Sequence, residues 1–117
     1  MSSVLVIGYD PQALPGIDAE AMRTTLAEEV RRFGELGIEA AMTLVVFDES
    51  AEPAIAASLA ERPWDVVVIG GGIRKTEVLL PLFEQTVNLI RRHAPGAAIA
   101  FNTNAGDSVE AARRWLP

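Results

Sequence analysis

Short apolar runs alternate along the chain with longer segments in which apolar residues recur at helical spacing. The runs SVLVIGY (3–9), EAAMTLVVF (39–47), DVVVIG (65–70) and AAIAF (97–101) are rich in branched aliphatics and mostly lack polar alternation. That character predicts strands covered on both faces. Over residues 18–36, Met22, Leu26, Val30 and Phe33 repeat at spacings of four, four and three, which predicts a helix with one apolar stripe. Asp18 is placed as its N-cap, Ile17 and Met22 as a hydrophobic staple, and Gly37 as its stop. A second helix is expected over about 51–61, with Ile55 and Leu59 inward and Pro63 beyond its end. A third runs from near Pro81 to His93, and a last one over 107–115 opens with Asp107 and Glu110 at capping-box spacing.

The order βαβαβαβα predicts a single α/β domain: a four-stranded parallel sheet with right-handed crossovers and helices on both faces. The simplest strand order is 2-1-3-4. In that arrangement the chain resembles a shortened flavodoxin-like or half-Rossmann three-layer sandwich, a resemblance of pattern that no family motif carries. Strands 2 and 4 would be edges, and self-association is one way to cover them.

Ligands of such sheets bind beyond the carboxyl ends of the strands, where the strand order reverses. Two connections flank that crevice, YDPQALPGI (9–17) and GGGIRKTEVLL (70–80). Both exceed the usual strand-to-helix length of about 2–6 residues. Pro81 inside a helix begun at Glu77 would cost roughly 3 kcal/mol, so residues 71–80 are expected to be a loop or irregular turn, with proline at the first helical position.

The glycine run fits neither standard phosphate motif. Aligning Lys75 and Thr76 with a P-loop puts Ile69 and Arg74 where glycines belong, and Lys75 takes the third position of a dinucleotide fingerprint. The physics behind those motifs survives in part. Gly71 and Gly72 permit close approach to a ligand, and Arg74, Lys75 and Thr76 supply charge and a hydroxyl. The competing reading has the glycines making a tight exit from a buried strand, with the cations in water, loosely paired to Glu77 or Asp10. Arg74 tilts the choice toward binding, because a tight turn does not require it. Asn102, Thr103 and Asn104 after the last strand offer uncharged donors and acceptors, and equally suit a turn and a cap. Tyr9, Asp10 and Gln12 could close the other side. The expected site is therefore Tyr9, Asp10, Gln12, Gly71, Gly72, Arg74, Lys75, Thr76, Asn102, Thr103 and Asn104, taking a small anionic or nucleotide-like ligand.

Composition narrows the partners. The 117 residues are half hydrophobic, with net charge −6 and a pI near 4.7, and no basic stripe interrupts that field. Nucleic acid is excluded on those grounds. No cysteine is present, which removes thiolate chemistry and disulfides. The opening MSSVLVIGYD lacks a cationic lead and no run has membrane-spanning length, so a cytoplasmic protein is expected. The single histidine, His93, ends a helix at the pole opposite the crevice, which argues against a Ser-His-Asp arrangement. Asp10, Asp48, Glu49 and Asp107 are oxygen donors near the upper rim, but acidic residues after strands more often cap helices than hold Mg²⁺. A receiver domain needs an aspartate at the end of the third strand, where this chain reads VVVIGGG; FMN would want a hydroxyl- and glycine-rich loop after the first strand, and YDPQALPG has no Ser or Thr. No nucleophile–base pair stands out, so no catalysis is assigned, and no cofactor. Trp64 is expected to seal the lower core, and Trp115 either packs the last helix or anchors an interface.

Overall fold

The structure, a computed structural model, describes residues 2–117. Its strands are β1 (Ser3–Tyr9), β2 (Glu39–Val45), β3 (Val66–Ile69) and β4 (Ala98–Phe101), all parallel, in the order β2-β1-β3-β4. The helices are α1 (Ala19–Glu35), α2 (Ala51–Ala60), α3 (Gly71–Arg74), α4 (Leu80–His93) and α5 (Ser108–Arg113). This is the expected three-layer α/β fold.

Side-chain alternation along the strands builds two cores. Leu5, Ile7, Val67 and Ile69 face α2 and α4, where they meet Ile55, Leu59, Leu82 and Ile90. Val4, Val6, Val66, Val68 and Ala100 face α1 and α5, against Phe33, Val109 and Ala112. Strands buried on both faces need the uninterrupted aliphatic sequence that these have.

The ends of α1 follow local chemistry. The Asp18 carboxylate accepts from the Ala21 N–H at 3.1 Å. At the other end the Gly37 N–H donates to Gly34 O and the Ile38 N–H to Phe33 O, both at 3.0 Å, with Gly37 at φ 73°. That is the Schellman arrangement, and the left-handed backbone it requires suits glycine. Trp64 is buried at the lower pole, as the sequence predicts, and its indole N–H donates to Ser58 O at 2.9 Å.

Residues 71–80 form the irregular turn expected there: Gly70 O accepts from the Ile73 and Arg74 N–H groups, giving the single turn α3, and a 3-10 turn follows over Glu77–Leu79. Finer expectations are corrected. Leu80 opens α4, so Pro81 is its second residue, still within the first turn where no hydrogen bond is lost. The capping box near α5 lies one turn earlier than expected. It pairs Asn104 with Asp107, around a 3-10 turn at Ala105–Asp107. Glu110 instead meets Arg32 at 2.6 Å, and Arg32 also holds the buried Glu29 at 2.7 Å, which accepts from the Val109 N–H. Trp115 does not pack the final helix; it is 58% exposed.

Candidate functional site

Alternation explains why a cavity opens at one end of the α1 face. On β1 the residues facing α1 are Val4, Val6 and then Gly8; on β3, Val66 and Val68 are followed by Gly70. The two glycines are neighbours: a Cβ on Gly70 would lie 3.6 Å from Gly8 Cα and 3.4 Å from Ile7 O. β1 and β3 are thus bare of side chains at this level, with Leu44 of β2 beside Gly8. The upper stripe of α1, Met22 and Leu26, spans this bare patch and is only half-buried.

The resulting cavity has a volume of about 440 Å³. Its floor is Val6, Gly8, Met42 and Leu44, its wall is Met22 and Leu26, and Leu14, Pro15 and Ile17 of the first long loop border it. At its polar end stand Gly70, Gly71, Gly72, Lys75, Thr76, Asn102, Thr103, Asn104 and Ala105. Among the described residues Lys75 is the one charged residue in the lining.

None of the glycines 70–72 has positive φ, so the left-handed backbone that glycine permits is not why they are there. Close approach is. A Cβ on Gly72 would come within 3.2 Å of Tyr9 Cβ and 3.6 Å of Leu14 Cδ1. Glycine at this point lets α3 seat against the end of β1.

Asn102 organises the polar end. It is buried, its Oδ1 accepts from the Gly71 N–H at 3.1 Å, and its Nδ2 donates to Ser108 Oγ at 3.1 Å. The following turn is held by Asp107, which accepts from the backbone N–H groups of Thr103 and Asn104 and from the Thr103 hydroxyl. Burial pushes the Asp107 carboxyl up, but those hydrogen bonds, with Arg114 nearby, outweigh it and hold the carboxyl below its ordinary range. Lys75 Nζ reaches across the mouth to Thr103 O at 2.5 Å.

Arg74 serves the protein rather than the cavity. Its Nε donates to Ile69 O at 2.8 Å, and its Nη2 bonds both the carbonyl and, at 2.9 Å, the Oδ1 of Asn102. The guanidinium also stacks over the Phe101 ring, 5.2 Å from its centroid. Partial burial lowers its pKa, with Asp107 opposing. Loose pairing with Glu77 or Asp10 is not what occupies it.

The expected site therefore divides. Tyr9, Gly71, Gly72, Lys75, Thr76, Asn102, Thr103 and Asn104 all border the cavity. Arg74, Asp10 and Gln12 do not. Asp10 caps the 3-10 turn at Pro11–Ala13 and pairs with Arg23 at 3.3 Å, and Gln12 lies in a shallow hollow on the outside of α1. The Tyr9 hydroxyl accepts from the Phe47 N–H at 3.2 Å. The sequence reading missed the apolar half: Gly8, Met22, Leu26, Met42 and Leu44. The readable signal was Gly8, a side-chain gap inside a buried strand. Asp48 accepts from the Ser50 N–H at 2.8 Å just before α2, and among the described residues no three His, Cys, Asp or Glu side chains converge as a metal site.

No protein-family model and no curated protein matches the chain. Among solved structures, the chain is similar to a fragment from Peptoclostridium difficile 630 described as a "putative lipoprotein", with 14% identity and a TM-score of 0.53, covering 86% of this chain and 72% of that one. At that identity the likeness speaks for the fold alone. No helix among the described residues is long and apolar enough to cross a membrane.

Proposed function

We propose that the protein is a cytoplasmic domain that binds a small anionic or nucleotide-like ligand in the crevice above β1, β3 and β4. The observation that carries this reading is the cavity of about 440 Å³ at the strand-order reversal, apolar along its length and polar at one end. A concave apolar site with a few convergent polar groups is the usual form of a small-molecule site, and its size lies in the common range. The buried Asn102, tied to α3, α5 and Arg74 together, supports it by fixing the polar end before any ligand arrives. Calorimetric titration with phosphate, nucleotides and dinucleotides, on wild type and a cavity-filling Leu26→Trp variant, tests the reading. Binding that Leu26→Trp abolishes, with the variant still folded by circular dichroism, is the expected result. Equal binding by both proteins would remove the cavity from the account.

A second reading, self-association, is favoured by exposed apolar side chains near an edge and at the end of the chain. Phe101 on edge strand β4 is 43% exposed, and Trp115 is 58% exposed. Sedimentation velocity on wild type, Phe101→Arg and Trp115→Ala tests it: an oligomer weakened by either change supports it, and a concentration-independent monomer rejects it.

A further inference from the structure

We infer that the ligand is an amphiphilic monoanion, an apolar chain or ring system carrying one carboxylate-like head, rather than a di- or triphosphate. The inference rests on the ligand-binding reading above and narrows it. Charge decides the head. Among the described residues Lys75 is the single charged residue lining the cavity, and its ammonium is engaged there only with a backbone carbonyl, Thr103 O, that it can exchange for an anion.

Other cations that could join it are committed. Arg74 holds the carbonyls of Ile69 and Asn102, Arg23 pairs with Asp10, and Arg114 donates to Phe101 O at 2.8 Å. A polyphosphate would bring several negative charges to one cation on a protein of net charge −6, with Asp107 behind the rim. Such a match is unfavourable even after partial screening. A monoanion matches the count.

Shape and polarity decide the body. Beyond Lys75 the walls are Val6, Met22, Leu26, Met42 and Leu44, with no charged side chain among them. The methionines are unbranched and adapt to irregular apolar guests. A sugar or base would leave its hydrogen-bonding groups unpaired against these walls, whereas an alkyl or aryl body would not.

The test is calorimetric titration of wild type with hexanoate, octanoate and decanoate, with octanol as the uncharged counterpart and ATP as the polyphosphate. Affinity is expected to rise about three- to fourfold for each added methylene, the value for burying a CH₂ group. Octanol is expected to bind more weakly than octanoate by about fivefold or more, and Lys75→Ala to remove that difference by weakening octanoate more than octanol. Lys75→Glu reverses the preference. Binding of ATP without binding of the carboxylates would overturn the inference and leave the ligand-binding reading standing. Chain-length-independent affinity, or equal octanol and octanoate affinity in wild type, would also overturn it. No binding of any probe would sink both.

Discussion

Replacing Arg74 by alanine separates a structural arginine from a ligand-binding one. In the folded protein the guanidinium donates to Ile69 O at 2.8 Å and to Asn102 Oδ1 at 2.9 Å, besides the Asn102 carbonyl, and covers the Phe101 ring. It thereby ties the end of β3 to the end of β4 through side chains, just where the two strands stop pairing. Hydrogen bonds to a charged group contribute about 1.5–3 kcal/mol each when well shielded, and partial exposure puts these at or below the lower end. Removing these three bonds, two of which share Nη2, together with the stacking on Phe101, gives an expected destabilisation of about 2–3 kcal/mol. For a domain of this size that lowers the melting temperature by about 8–12 °C. Urea unfolding followed by tryptophan fluorescence is a suitable assay because Trp64 is buried and reports core exposure. Arg74→Lys is expected to recover less than half of the loss, since a single ammonium cannot bridge carbonyls in the way a planar fork does. A melting temperature for Arg74→Ala within about 2 °C of wild type, combined with lost ligand binding, would refute the structural assignment.

Other consequences are independent of Arg74. The Asp107 carboxyl titrates below its ordinary value when folded, so its contribution is complete above the unfolded-state pKa of about 3.9 and is lost as pH falls through the lower folded value. Acid titration of stability should therefore show a shallower decline in Asp107→Asn than in wild type below about pH 4; superimposable profiles would contradict the network drawn around Thr103 and Asn104. Gly37→Ala places a side chain at φ 73° and should cost about 1 kcal/mol in urea denaturation, while Gly34→Ala, helical with open space around it, should be neutral or stabilising. Trp64→Phe removes the donor to Ser58 O while keeping most of the ring, and is expected to destabilise by about 1–2 kcal/mol in the same assay.

The fold was legible because the central strands β1 and β3 are buried on both faces and the long helices carry a stripe. SVLVIGY and DVVVIG cannot be surface elements, and the spacing from Met22 to Phe33 has one reading. The polar rim was legible too, since topology alone brings the ends of β1, β3 and β4 together. What escaped depends on direction rather than position. Arg74 sits beside the crevice in sequence, but one helical turn rotates it onto the carbonyls of Ile69 and Asn102, a choice that no one-dimensional pattern encodes. The capping box shifted by a turn because Asn104 and Asp107 satisfy the same rule as Asp107 and Glu110, and Arg32, distant in sequence, claims Glu110. The apolar half of the cavity comes from two glycines that become neighbours only when β1 pairs with β3.

The central claim is that the space above Gly8 and Gly70 receives a small molecule. Methionine methyl groups labelled with carbon-13 report on it directly, because Met22 and Met42 both line the cavity. Octanoate and ATP would be added separately, and the two resonances followed by nuclear magnetic resonance in wild type and in Leu26→Trp. At least one of the two compounds is expected to shift both resonances, saturably, in wild type and not in the variant. Resonances that stay in place with both compounds, or that shift equally in the variant, would contradict the central claim.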